Sequence, residues 1–134
     1  MTPKKEIVGG PVVIDGRTLS LSRAVRAGDC VYLTGQIPMK DGAPMTTGTI
    51  EEQTEAVLDD IQATLALAGC QLTDVVKAMV WVQDRADFPG FNEVYGRYFP
   101  SEPPARSCVV SDLLVDCRVE VEVIAYHPLP DRNA

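Results

Sequence analysis

The alternation of residue types near the end of this chain restricts its fold more than any other feature. Residues 118–125 read Arg-Val-Glu-Val-Glu-Val-Ile-Ala. Successive side chains of a strand point to opposite faces, so the valines share one face and the glutamates, Glu120 and Glu122, share the other. The pattern predicts a strand with one face in a core and carboxylates on the other face.

A second predicted strand lies just before this one, and we interpret residues 103–125 as two strands joined by a turn. Arg106 and Cys108 point the same way on the earlier strand. We therefore expect a guanidinium and the carboxylates to meet on one face of one sheet, at a crevice that two subunits enclose. Arg106 and Glu120 on opposite sides of the sheet, or both exposed to bulk solvent in a lone subunit, would contradict this expectation and the function that depends on it.

Two helices are expected between the strands. Thr49 and Glu52 have the spacing of a capping box at the start of the first helix, and Gly69 marks its end. Asp87 is the expected N-cap of the second helix, which Pro100 terminates. The aromatic residues of the second helix are spaced as a stripe that faces the core.

Further strands are expected over residues 6–13, as a kinked edge strand or hairpin, and over residues 30–34 and 72–83. The order of elements predicts an α+β sandwich whose two helices cover one face of the sheet. The uncovered face is expected to present these residues: Met79, Trp81, Arg106, Cys108, Glu120 and Glu122. A mixed apolar and charged face of this size predicts that a second copy of the chain covers it.

Length and charge restrict the class of protein. The 134 residues are expected to form a single domain over 1–134. The net charge of −7 argues against a nucleic-acid-binding surface, since such surfaces neutralise phosphates with Lys and Arg. The sequence has neither an apolar signal-peptide segment nor a membrane-length apolar run, so we expect a cytoplasmic protein with no membrane partner.

The metal-ligating residues are few. The chain has four cysteines, none in a Cys-x-x-Cys pair, and one histidine, His127. We therefore expect no metal site and no cofactor, and we expect the cysteines to behave as small, reduced hydrophobic residues.

Five segments, read together, resemble the reactive intermediate deaminases, also called the Rid or YjgF-type family. The segments follow the order and spacing of that family: 23–29, 31–36, 91–95, 104–108 and 119–125. The resemblance implies a chorismate-mutase-like α+β sandwich with a mixed sheet, assembled as a homotrimer with clefts between subunits. It also implies hydrolysis of 2-enamine and 2-imine acids, such as 2-aminoacrylate and 2-iminopropanoate, to 2-keto acids and ammonia.

The resemblance assigns roles to single residues. Arg106 matches the arginine that holds the substrate carboxylate, a group that a guanidinium binds through two parallel hydrogen bonds. Glu120 matches the glutamate that orients or activates the attacking water. Thr34 stands where many members have serine, and Gly35 follows it as in the family. From the residues alone, Gly35 allows either a bend or the close approach of a ligand or of backbone.

Three further positions follow from the same resemblance. Cys108 matches a position that contacts ligand through its backbone, and we do not assign it as a nucleophile. Asn92 matches an asparagine that either holds structure or contacts ligand. Leu21 stands where deaminating members have tyrosine, which leaves the choice of substrate open.

Two other functions remain open at this point. The chain could act on a larger catabolic enamine such as 2-aminomuconate. It could also be a trimer that binds small carboxylates without catalysis. Ribonuclease activity, attributed to some family members, fits the acidic charge poorly.

Overall fold

The computed structural model describes residues 5–130. Its strands are β1 (Glu6–Ile14), β2 (Arg17–Ala27), β3 (Cys30–Leu33), β4 (Met39–Lys40), β5 (Ala43–Pro44), β6 (Val75–Val82), β7 (Ala105–Val110) and β8 (Val119–Tyr126). Its helices are α1 (Ile50–Leu67) and α2 (Phe88–Tyr98). Neither helix combines the length and apolar character needed to cross a membrane.

Six strands form one mixed sheet in the order β1-β2-β3-β8-β6-β7. β6 and β7 are parallel, and the other pairs are antiparallel. A parallel pair needs a crossover, and α2 supplies it between β6 and β7. β4 and β5 form a separate two-stranded hairpin.

The expected α+β architecture with both helices on one face is confirmed. The side chains buried between helices and sheet come from both layers, and they include Leu58, Ile61, Phe91, Val80, Val121 and Val123. Each of these side chains is at most 1% exposed. The opposite face of the sheet has no helix on it among residues 5–130, and we call it the open face.

The capping box of α1 is confirmed. The backbone N–H of Glu52 donates to Thr49 Oγ1 at 3.1 Å, and Glu52 Oε1 accepts from the backbone N–H of Thr49. Gly69 lies just past the helix with a φ of 76°, a left-handed conformation that favours glycine. The helix therefore begins and ends where the sequence predicts.

The predicted role of Asp87 is only half right. Asp87 occupies the N-cap position of α2, but its side chain makes no capping hydrogen bond. Its carboxylate instead pairs with the guanidinium of Arg118, 3.1 Å away. The helix begins with Pro89 in its first turn, where the missing N–H has no helical acceptor.

Two strand predictions need correction. β6 begins at Val75, because residues 72–74 form a short 3-10 turn. A pairing irregularity then puts Val75 inside and leaves Val76 exposed. β7 and β8 are not neighbours either, since β6 lies between them.

The kinked edge strand is confirmed. β1 lies at one end of the sheet, and its pairing with β2 shifts register around Pro11. Gly9 and Gly10 both have positive φ, which lets the strand bend there.

Candidate functional site

Arg106 lies on β7, the strand at the other end of the sheet. The parallel register sets Arg106 opposite Ala78, which is fully buried under the helices. The Arg106 side chain therefore lies on the helix side of the sheet. Its Nη1 donates to Asn92 Oδ1 of α2 at 2.8 Å. Asn92 thus fixes the guanidinium, a structural role that the sequence left open beside direct contact with ligand.

Three aromatic rings of α2 surround the Arg106 guanidinium. Its central carbon lies 4.7 Å from the ring centre of Tyr95, 5.6 Å from Phe88 and 5.8 Å from Phe91. Cation–π contact of this kind orients a guanidinium without using its N–H donors. These rings were predicted only to face the core. They do pack in the core, and they also hold Arg106.

Cys108 lies on the same side of β7 as Arg106, opposite the buried Val80. It is half-buried and packs against the core. Burial raises the pKa of the Cys108 thiol, and the charge of Arg106 acts in the other direction. A thiol held protonated is a poor nucleophile. Arg106, Asn92 and Cys108 form what we call the arginine cluster.

Glu120 lies on the other side of the sheet. It pairs with Trp81 of β6, and the core valines flank it on either side in β8. Its half-buried side chain lines a groove of about 670 Å³, together with Thr34 and Gly35. We call this the glutamate groove.

Gly35 is explained by Glu120. A Cβ at Gly35 would collide with Glu120 Oε2. The close approach at Gly35 therefore involves neither the ligand nor the backbone that the sequence suggested. The approaching group is a side chain of the same chain, and any larger residue at position 35 would displace the carboxylate.

The pKa of the Glu120 carboxyl is raised, first by burial and second by the negative charge of Glu122. A carboxylate with a raised pKa accepts a proton more readily than an exposed one. Glu120 therefore has the character of a general base.

The remainder of the glutamate groove is mostly apolar. Leu21 lies in its wall, 40% exposed, and the apolar neighbours of Leu21 in the lining include Leu19, Ile37, Leu114 and Val115. Leu114 and Val115 come from the connection between β7 and β8. Neither residue was predicted from the sequence to lie at the site.

The expected convergence of Arg106 and Glu120 on one face is wrong. The Arg106 side chain lies on the helix side of the sheet and the Glu120 side chain on the other side. The reason is topological: β6 separates the two strands, and its parallel register with β7 aligns Arg106 with an inward-facing residue. A lone chain therefore has two groups of candidate residues and no single site that contains both.

Comparison with known proteins identifies the fold and its relatives. The sequence model of the family described as Endoribonuclease L-PSP matches residues 17–127. A RutC family protein of Saccharolobus solfataricus is 46% identical over 106 residues, which cover 78% of this chain and 84% of that protein. A Dermatophagoides farinae protein named 2-iminobutanoate/2-iminopropanoate deaminase is 38% identical over 105 residues, covering 77% of this chain and 82% of its own.

The three-dimensional comparison agrees. The crystal structure of a Rid family protein from Yersinia pestis superposes with a TM-score of 0.82 at 32% identity, covering 91% of this chain and 98% of that one. The similarity therefore extends over nearly the whole described fold.

Proposed function

Because the chain belongs to the Endoribonuclease L-PSP family, also called the Rid or YjgF family, we propose that it is a hydrolytic deaminase of 2-enamine and 2-imine acids. Its substrates are of the 2-aminoacrylate and 2-iminopropanoate type, and its products are a 2-keto acid and ammonia. The observation that supports this proposal most is the pair of prepared groups, a positioned guanidinium and a carboxylate with base character.

The proposed site contains two copies of the chain. Arg106 is at the edge strand of one sheet, and Glu120 is on the open face of another. When the β7 edge of one copy packs against the open face of a neighbouring copy, the arginine cluster of the first copy meets the glutamate groove of the second. Repeated around a threefold axis, this contact gives a homotrimer with three equivalent sites. The separation of Arg106 and Glu120 within one chain removes the single-face site on which this function was first expected to depend. The proposal therefore requires a site shared between two copies.

Arg106 binds the substrate carboxylate. Its guanidinium has five N–H donors, and Asn92 accepts one of them, so a two-pronged contact with a carboxylate is available. Because α2 fixes the guanidinium through Asn92 and Tyr95, little order has to be gained when substrate binds.

Glu120 activates water. Its carboxylate takes a proton from water as the oxygen bonds to the imine carbon, and it delivers that proton to the imine nitrogen, which leaves the carboxylate ionised again. The resulting amino alcohol then loses ammonia as the C=O bond forms. One water is consumed for each ammonia released, and no redox step is required.

Ribonuclease activity is not part of the proposed function. A surface for RNA requires cations along the backbone path. Here the net charge is −7, and the open face carries Glu120 and Glu122.

All four cysteines are unpaired, which supports the reducing, cytoplasmic setting included in the proposal.

Mixing two inactive variants tests both the reaction and the two-copy site. Arg106→Ala and Glu120→Gln are each expected to lose most ammonia release from 2-aminoacrylate generated in situ. The two variants are then unfolded and refolded together in equal amounts. A site is intact only if its arginine comes from the Glu120→Gln variant and its glutamate comes from the Arg106→Ala variant. That occurs in about one site in four, so roughly a quarter of the wild-type activity should return.

Three outcomes are informative. No activity in the mixture, with wild type active after the same treatment, would contradict a site shared between copies. Full ammonia release by Arg106→Ala would remove this residue from its role. Wild-type protein that binds pyruvate-like acids but accelerates no imine hydrolysis would favour the carboxylate-binding alternative.

A further inference from the structure

Three metal-ligating side chains lie together at the C-terminal end of α1, outside both parts of the proposed active site. They are Cys70, Asp74 and His127, and one donor atom from each lies within 4.8 Å of the other two. His127 Nδ1 and Asp74 Oδ2 are 3.4 Å apart.

The fold gathers these residues from distant parts of the sequence. Asp74 ends the 3-10 turn before β6, and His127 directly follows β8. The antiparallel pairing of Val75 with Ala125 places the two side by side. Cys70 closes the group from the end of α1. The expectation of no metal site rested on the absence of a local cysteine pair, and it could not anticipate this juxtaposition.

We propose that Cys70, Asp74 and His127 bind a zinc ion. A thiolate, an imidazole and a carboxylate are the three ligand types that Zn²⁺ takes in proteins, and three protein ligands leave a fourth position for water. Cys70 is 4% exposed, whereas the Asp74 and His127 side chains are 25% and 43% exposed. The group is thus closed on the cysteine side and accessible to an ion from the other.

To bind zinc, the three ligand atoms have to move slightly closer together. Zinc–sulfur and zinc–nitrogen bonds of about 2.3 and 2.0 Å at a tetrahedral angle put the two ligand atoms roughly 3.5 Å apart. No two of the three ligand atoms are more than 4.8 Å apart, so each separation has to shrink by at most about 1.3 Å. His127 lies in the segment that follows β8, where a side-chain rotation can supply that movement without disturbing the sheet.

Arg26 is the cation that faces this group, and its charge has to be considered. The buried guanidinium donates to the backbone oxygens of Ala68, His127 and Gly28. A zinc ion with one thiolate, one carboxylate and one neutral imidazole has no net charge, so Arg26 does not repel the loaded site. Metal binding releases the thiol proton of Cys70 to solvent.

Zinc and cobalt binding by the purified full chain tests the proposal. We expect one Zn²⁺ per chain by calorimetric titration. With Co²⁺ we expect a thiolate-to-cobalt charge-transfer band, which reports a sulfur ligand directly. Cys70→Ser should abolish the band and weaken zinc affinity by more than the roughly 10–100-fold typical of outer contacts. His127→Ala, at a half-exposed side chain, should weaken binding equally.

Cys117→Ser is the matched control. Cys70 and Cys117 are both buried, and each thiol donates to a backbone oxygen two residues away, at 3.8 and 3.6 Å. The control should bind zinc as wild type does. The proposal is overturned if wild type binds no zinc, if Cys70→Ser and His127→Ala bind as tightly as wild type, or if the cobalt complex shows no sulfur band. Cys70, Asp74 and His127 would then form an ion pair beside a buried thiol only.

Discussion

The two faces of the sheet differ in how far one chain completes them. On the helix side, Val80 and Val121 are fully buried. On the open face, Trp81 is only half-buried, and Tyr32 and Val109 are 45% and 43% exposed. One chain therefore supplies a finished core on one side and leaves large apolar side chains partly exposed on the other.

The candidate site is divided along the same boundary. Arg106 is fixed by helix residues and belongs to the completed side, while Glu120 belongs to the open face. Under the proposed function, catalysis depends on assembly, whereas the stability of the chain does not. Changes on the two faces should therefore have separable effects.

The largest effect is expected from a change on the helix side. Leu58→Ala removes a fully buried side chain from the core and should lower the free energy of unfolding by about 2–5 kcal/mol. Leu67→Ala changes the same residue type on the same helix, but Leu67 is 56% exposed. This control should cost less than about 1 kcal/mol. Urea unfolding of both variants measures the difference, and equal losses would contradict the assignment of the core.

A smaller effect, of a different kind, is expected from the open face. Trp81→Ala should weaken self-association by about 2 kcal/mol, since large aromatic side chains dominate protein interfaces. This corresponds to a roughly 30-fold higher dissociation constant for one contact. Light scattering over a dilution series measures it, with Leu67→Ala again as the control. A monomeric wild type, or an unchanged assembly in Trp81→Ala, would remove the open face as the interface.

The smallest effect is a shift in pH dependence. In the proposed reaction turnover requires the ionised Glu120 carboxylate, so activity should fall as the pH drops through a pKa above the ordinary value of 4.5. Glu122→Gln removes one of the two causes that raise this pKa. The acid limb of kcat/KM should therefore move to lower pH in this variant, while the burial contribution remains. Glu93→Gln, on the exposed surface of α2, serves as the control. An acid limb that moves to higher pH, or that does not move, would show that Glu122 does not raise the pKa of Glu120.

Much of the local structure follows from neighbouring residues. The capping box at Thr49 and the glycine after α1 act within one turn of helix, so their residues predict both ends of α1. The alternation in β8 likewise predicts which of its side chains face the core.

The face of β7 could not be predicted in the same way. Its sequence, Ala-Arg-Ser-Cys-Val-Val, has no clear alternation, and both orientations of Arg106 are compatible with it. Asn92 and the aromatic rings of α2 were the available signal, because a guanidinium near them has an acceptor and π faces to contact. That signal becomes evident only once the packing of α2 is known.

The sequence by itself determined the two helices, both ends of α1 and the inward face of β8, because these depend on contacts between residues close in the chain. Tertiary structure alone decided that β6 lies between β7 and β8, that Arg106 and Glu120 occupy opposite faces, and that Cys70 meets Asp74 and His127. Strand order and register are set by the burial of the whole core at once, and no short stretch of residues specifies that balance.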